Sequence, residues 1–458
     1  MSKQILGSAI MFVVFACRCN AVTLQDVLDT TVEKNPAILE AKANLEQAAG
    51  QRLVLRSVAW PNARVAVPAG VQGGKRPGGR RRAPAPMPTP GGTQRESRTS
   101  ESTKVFGFAR GWFTQPLFNA AIPPSLRRGD VDLLIAKQQL NLMVAEQLHA
   151  ARLAFYAALY NRALQSLRED QRHRLEQNSA SQKDRYETGL TDRSAFVGAT
   201  IQVRELDPKI ESVRRAYGEA RLRLAQAMDV PLGADISLPD AEGELQFVPV
   251  ALDLSAETTA ALERRVDLKL ARLFTRVANE DLRIIEAGYY PLVNAFATGH
   301  YVPVTGIHRE GSTRRTDDFI TSEVRGGAAY TWRVIDTGKV TGAVRQQRAV
   351  REINELTCRK LEANVSRELL RIHNNLLAIQ ARHDSLASAA ASAEEGTRIV
   401  AQNLTQGLAS QLEYRVTQTG YLETRSGLLE SVYQYNVALA ESDRATGRYF
   451  QFSDEGAR

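Results

Sequence analysis

Hydrophobic and polar positions along the chain alternate between two periods. Leu361, Val365, Leu369, Ile372, Leu376 and Ile379 recur at steps of three and four, the seam of a helix packed in coiled-coil fashion. Leu133, Leu134, Leu140, Val144, Leu148, Ala151 and Phe155 mark a similar face earlier in the chain. Two long helical stretches follow, residues 120–232 and 338–450, each broken once, near Gly189 and near Gly407. A helix over residues 122–187 would reach about 100 Å at 1.5 Å per residue, far more than a globular domain needs. Pro208 predicts a kink or an offset in the returning helix. An amphipathic helix precedes each long stretch, over residues 24–57 and 255–287.

Between the helices the period falls to two, the signature of strands. Val324, Ala328, Tyr330, Trp332 and Val334 share one face, against Arg325, Thr331 and Arg333. Val293, Ala295, Ala297 and Tyr301 share a face, as do Ala63, Val65 and Val67. Phe106, Phe108 and Trp112 share a parity in the segment 104–118. These segments predict two strand pairs, residues 61–119 with an outer loop at 68–104, and residues 291–337 with an outer loop at 303–322. Strands of about ten residues with aromatics towards their ends suit an outer-membrane barrel. Four strands cannot close a bilayer-spanning barrel, and open edges are not tolerated in lipid. Several chains must therefore share one barrel, and three would supply twelve strands.

The chain repeats itself, which is its most informative feature. Residues 36–61 align without gaps on 266–291, an offset of 230 that places Trp60 on Tyr290 and Pro61 on Pro291. Phe118 and Asn119 fall on Ile335 and Asp336 at 217, and Gly189 on Gly407 and Tyr217 on Tyr435 at 218. The offsets differ because a Pro/Arg-rich insertion lengthens only the first copy. The layout is therefore a signal segment 1–21, short helices at 22–60, a strand pair, and a long hairpin at 120–232. It continues with a linker and short helices at 233–290, a second strand pair, a second long hairpin at 338–450 and a tail at 451–458.

Charge and cysteine usage add location. The formal charge is +8 over 458 residues. Residues 75–98 carry seven basic side chains against Glu96 alone, and Lys3 and Arg18 account for the remaining two charges. The basic character thus belongs to one Pro/Gly-rich insertion that cannot fold alone. It reads as a cationic loop for polyanions or as a solvated insertion; no aromatic interleaves its arginines, which speaks against nucleic acid. Lys3 and the apolar run at residues 5–16 form an export signal too short to span a bilayer. Cleavage after Ala21 is one reading, and a lipobox ending at Cys17 the other. Of three cysteines, only Cys358 lies beyond this segment, so no disulfide framework is possible after cleavage.

In this order of motifs the chain resembles the TolC-like outer membrane efflux proteins. The resemblance is carried by Asn35-Pro36-Ala37-Ile38, by Gln115-Pro116-Leu117-Phe118-Asn119, and by the two hairpin turns. One turn is Tyr186-Glu187-Thr188-Gly189-Leu190-Thr191, the other Gln406-Gly407-Leu408-Ala409-Ser410. It implies a mixed α + β membrane protein, a homotrimer whose twelve-stranded barrel sits in outer-membrane lipid above a twelve-helix periplasmic tunnel. It further implies a periplasmic adaptor, docked at these turns, and an inner-membrane pump. Glu413 matches an acidic tunnel-entrance position of the family, whereas Val416, Leu404 and Ala409 replace the family's other gate residues. Val334-Ile335-Asp336-Thr337-Gly338 departs from the usual Pro-Leu-Phe-like turn.

No enzyme signature competes with this reading. The six histidines form no His-Glu-x-x-His pair, no Gly-x-Ser-x-Gly exists, and residues 69–76 lack the glycine and hydroxyl of a phosphate loop. No cofactor or metal is called for. The alternative from another class is a periplasmic coiled-coil scaffold or adaptor without a pore.

Overall fold

The computed structural model of the chain describes residues 21–77, 99–231, 238–310 and 313–448. Cys17 and the rest of the signal segment before Ala21, most of the basic insertion and the tail 451–458 lie outside the described residues. The first copy runs β1 (Ala21–Val22), α1 (Leu24–Lys34), α2 (Pro36–Ser57), β2 (Asn62–Ala66), β3 (Ala69–Pro77), β4 (Thr99–Gly107), β5 (Ala109–Phe118), α3 (Ile122–Glu187) and α4 (Arg193–Ala227). The second runs β6 (Asp240–Ala241), α5 (Leu254–Arg264), α6 (Val266–Glu286), a 3-10 turn at Ala287–Tyr289, β7 (Leu292–Glu310), β8 (Thr313–Thr331), α7 (Lys339–Thr405) and α8 (Gln411–Thr446). The chain divides into a unit with the sheet (Ala48–Leu133, Thr275–Ile353) and a helical unit (Met1–Gln47, Leu134–Phe274, Asn354–Arg458).

In the sheet unit, β2 and β3 form one strand interrupted at Val67 and Pro68, where Phe108 N–H donates to the Pro68 carbonyl at 3.0 Å. Likewise β4 and β5 form one strand interrupted at Phe108. The sheet is an antiparallel meander of four strands, β2/β3 to β5/β4 to β7 to β8. β7 and β8 pair without a break from Leu292↔Thr331 to Glu310↔Thr313. The segments expected as outer loops, 68–104 and 303–322, therefore contain strand. Ladder bonds belong to the backbone and continue beyond the point where apolar alternation fades.

The register sorts the side chains into two faces. Val65, Gly111, Gly299 and Val324 form one row across the sheet, and Ala63, Phe113, Ala297 and Gly326 the next on the same face. Arg64, Trp112, Thr298 and Arg325 form a row on the opposite face. One face is thus apolar and the other mostly polar. Trp112 stands on the polar face, contrary to its expected grouping with the apolar side chains; its neighbour Phe113 takes the apolar side, since adjacent strand residues point opposite ways. Among the described residues, β8 and β2/β3 have no partner on their outer edges.

Below the sheet, four helix ends pack in the order α2, α3, α6, α7. Arg52 and Arg56 of α2 pair with Asp130 of α3 at 2.6 and 3.5 Å. Arg127 and Arg128 of α3 pair with Glu280 and Asp281 of α6 at 3.0 and 2.5 Å. Leu282 and Ile285 of α6 pack on Val340 and Val344 of α7. Arg348 meets Glu286 at 3.4 Å. This last pair is the counterpart of Arg56–Asp130 at offsets of 230 and 218, with the charges exchanged.

In the helical unit the expected seam of α7 is a core: Val365, Leu369, Ile372, Leu376 and Ile379 pack with Tyr435, Ala438 and Leu268. The helix expected over 24–57 is two helices, as is that over 255–287. Asn35 breaks the first at φ −59°, ψ 124°, and Arg265 the second at φ −57°, ψ 126°. Asn35 precedes a proline, which disfavours helix at the preceding residue; Arg265 does not. α4 continues through Pro208 as one helix.

The candidate docking tips

Each long hairpin turns through the same local structure. At the end of α3, Gly189 N–H donates to Tyr186 O at 3.0 Å and Leu190 N–H to Arg185 O at 2.7 Å. At the end of α7, Gly407 N–H donates to Leu404 O at 3.2 Å and Leu408 N–H to Asn403 O at 2.8 Å. Both are Schellman caps, which need a left-handed residue after the helix. Gly189 has φ +75° and Gly407 φ +76°. Here the backbone conformation favours a residue without a side chain.

The residue after each glycine projects outwards: Leu190 is 72% exposed and Leu408 76%. Tyr186 stacks on Phe196 with ring centroids 6.2 Å apart. Thr191 is half-buried and leads into Asp192, the N-cap of α4. The Ser194 hydroxyl donates to the Asp192 carboxylate at 2.7 Å, and this bond, then backbone amides, holds the Asp192 carboxyl below its ordinary value.

In the second turn, Ala409 N–H shares the Asn403 carbonyl at 3.3 Å. Ser410 and Glu413 form a capping box. Ser410 Oγ accepts from Glu413 N–H at 3.1 Å, and Glu413 Oε2 accepts from Ser410 N–H at 2.8 Å. Glu413 is exposed and lies three residues before the exposed Val416. The tunnel-entrance candidate thus also starts α8.

The two tips meet through residues that, Leu404 apart, the sequence does not single out. Asn178 and Gln411 lie with amide groups 3.4 Å apart, Arg185 reaches Leu404 O at 3.5 Å, and Arg415 approaches Glu205 at 3.6 Å. None of these pairs sits at a repeat offset, and each joins polar groups more than two hundred positions apart. No periodic signal marks them.

Further along the hairpins, the segment before α5 is held by side chains of both copies. Arg162 donates to Ala241 O and Gly243 O, Arg221 to Pro239 O and Leu238 O, and Tyr435 Oη accepts from Val250 N–H at 2.9 Å. Phe247 stacks on His383 at 3.6 Å. No helix among the described residues is long and apolar enough to cross a membrane.

Comparison with known proteins agrees with this architecture. Residues 258–448 match the family described as outer membrane efflux protein. No curated protein matches the chain. The outer membrane protein VceC of Vibrio cholerae superimposes with a TM-score of 0.70 at 16% identity, covering 93% of this chain and 96% of that one. The Campylobacter jejuni outer membrane channel CmeC gives 0.70 at 11% identity, covering 94% and 87%. The open-state outer membrane channel MtrE of Neisseria gonorrhoeae gives 0.67 at 15% identity, covering 93% and 88%. By sequence over its second copy and by fold over nearly its whole length, the chain resembles the TolC-like outer membrane efflux proteins.

Proposed function

We propose that three copies of this chain form an outer membrane channel, with a twelve-stranded barrel in the membrane and a tunnel of twelve helices in the periplasm. The observation that carries this reading is the sheet: among the described residues it has four strands, one apolar face, one mostly polar face and two unpaired edges. In lipid each edge must find a partner. β8 of one copy beside β2/β3 of the next closes the sheet without an edge and turns the apolar row of Val65 and Val324 to lipid. The polar row with Arg64 and Arg325 then lines the pore. A pore-free scaffold has no use for an apolar sheet face.

On this reading the chain is the exit duct of a tripartite efflux or type I secretion system. The six hairpin tips of a trimer, with Leu190 and Leu408 projecting, receive a helical-hairpin adaptor that links the duct to an inner-membrane pump. Glu413 from three chains rings the tunnel entrance and favours cations over anions. The test is membrane fractionation, unboiled gel migration and planar-bilayer conductance of the purified protein. Trimers in the outer-membrane fraction with discrete conductance steps are expected; a monomer without conductance rejects the proposal.

A further inference from the structure

The repeat predicts the contact between copies of the chain, because every helix of the first copy has an equivalent in the second. Within the sheet unit, α2 packs on α3 as α6 packs on α7. The exchanged pairs Arg56–Asp130 and Glu286–Arg348 show that these two contacts are equivalent. Among the described residues, the contact of α3 with α6 has no equivalent inside the chain. Its counterpart would join α7 to the α2 of another copy, at the same offsets, 218 for the long helices and 230 for the short ones.

Exposure agrees. Ile135 of α3 is buried at 8%, whereas its equivalent on α7, Ile353, is 60% exposed. Val131 is buried at 3%, whereas its equivalent Ala349 is exposed. On the other side, Ile284 of α6 is half-buried, whereas its equivalent on α2, Val54, is 66% exposed. The α7 face of the second copy is thus more exposed than its equivalent on α3, and the α2 face more exposed than its equivalent on α6.

We infer that this face, Gln346, Val350 and Ile353 of α7, docks on Gln51 and Val54 of α2 in a second copy, and that neither ion pair of the α3–α6 contact has a counterpart in the seam between copies. The chemistry follows from the substitutions between repeats. Inside the chain the seam is ionic: Arg128 meets Asp281 at 2.5 Å, and also Asp132. Between copies Gln346 stands for Arg128, Gln51 for Asp281 and Val350 for Asp132. Arg127, which meets Glu280 at 3.0 Å, becomes Arg345 opposite Gly50 and so keeps its charge but loses that partner; beside it an amide pair flanked by apolar side chains replaces the Arg128 cluster. Screening by salt weakens the first kind of seam and leaves the second almost untouched.

This inference rests on the trimer proposed above. Its test uses the full chain in membranes in a Cys358→Ser background. Gln51→Cys and Gln346→Cys are combined and treated with a short bis-maleimide, with each single-cysteine variant as a control. Covalent dimers and trimers on a denaturing gel from the double variant alone are expected. Trimers that migrate intact on an unboiled gel yet give no cross-link overturn the seam alone. A chain monomeric before cross-linking overturns the seam and the trimer together. A second variant, Gln51→Asp with Gln346→Arg, restores the ionic pair of the first copy. It should raise the trimer dissociation temperature at low salt, with the gain lost near about 0.5 M salt; no gain at low salt overturns the opposition of these two residues.

Discussion

Arg265 donates from Nη1 to the carbonyl of Ala445 at 3.3 Å, where Asn35 donates from Nδ2 to the carbonyl of Ala227 at 3.2 Å. Asn35 and Arg265 are equivalent at an offset of 230, and Ala227 and Ala445 at 218. Both bonds tie the break between two short helices to the last turn of a long one. The chemistry differs: Asn35 is neutral, whereas Arg265 also pairs with Asp267 at 2.8 Å and Glu368 at 2.6 Å.

That difference sets the cost of removing each. Arg265→Ala leaves two partly buried carboxylates without a counter-charge and should cost about 2–4 kcal/mol. Asn35→Ala loses hydrogen bonds only and should cost about 1 kcal/mol. Thermal unfolding followed by circular dichroism ranks the two; equal losses would refute the ionic role of Arg265.

The left-handed caps separate in the same way. Gly407 and Gly189 have open space where a Cβ would stand, so Gly407→Ala carries only the backbone cost, about 1–2 kcal/mol. Gly447 caps α8 at φ +69°, and a Cβ there would lie 3.2 Å from the Arg264 backbone. Gly447→Ala should therefore be the more destabilising of the two in a thermal melt.

Bulk at the tips tests docking rather than folding. On the proposed function, Gly189→Leu or Gly407→Leu should abolish transport while trimers persist in the membrane, measured by accumulation in cells of a compound that the unaltered channel exports. Normal efflux from such variants would remove the tips from the docking surface.

Glu413→Gln isolates charge, because glutamine also completes a capping box. Helix α8 should start as before, and single-channel recordings should show increased anion passage. Unchanged selectivity would leave Glu413 with its capping role alone.

Acid should weaken the helical unit through His149. Burial, then Arg444 and Arg152, lowers the His149 pKa from 6.5 to about 4. Above pH 6.5 the imidazole is neutral in both states, and the native contribution is intact. As pH falls from 6.5 towards 4 the unfolded chain binds a proton that the folded chain refuses, so stability drops. The loss should be about 1–2 kcal/mol, given the half-exposed site. His149→Gln should flatten this part of the stability–pH curve; an unchanged slope would place the effect elsewhere.

Much of the fold was legible in the residues. α3 covers the expected 122–187, both hairpins turn at the expected glycines, and the apolar seam of α7 is a core. The repeat was legible too, and extends further than its sequence matches suggest. Asn119 accepts from Ala121 N–H at 2.9 Å, and its equivalent Asp336 accepts from Gly338 N–H at 3.0 Å. The unusual turn at residues 334–338 therefore keeps the same cap, although it carries Thr337 at φ +54°. Asp229 and Gly447 end α4 and α8 in the same left-handed conformation, a correspondence hidden because aspartate tolerates φ > 0 and resembles glycine in nothing else.

Period, turn chemistry and duplication are local properties, so the sequence by itself determined element types, their order and the hairpin glycines. Tertiary structure decided the rest. It placed Trp112 on the polar face and carried the strands beyond their apolar alternation, because backbone ladders fix register. It bent the chain at Arg265 without a proline, because carboxylates and a distant carbonyl hold that side chain. It joined Asn178 to Gln411, because contacts between polar side chains far apart in the chain depend on which helices lie side by side, and no local pattern records that.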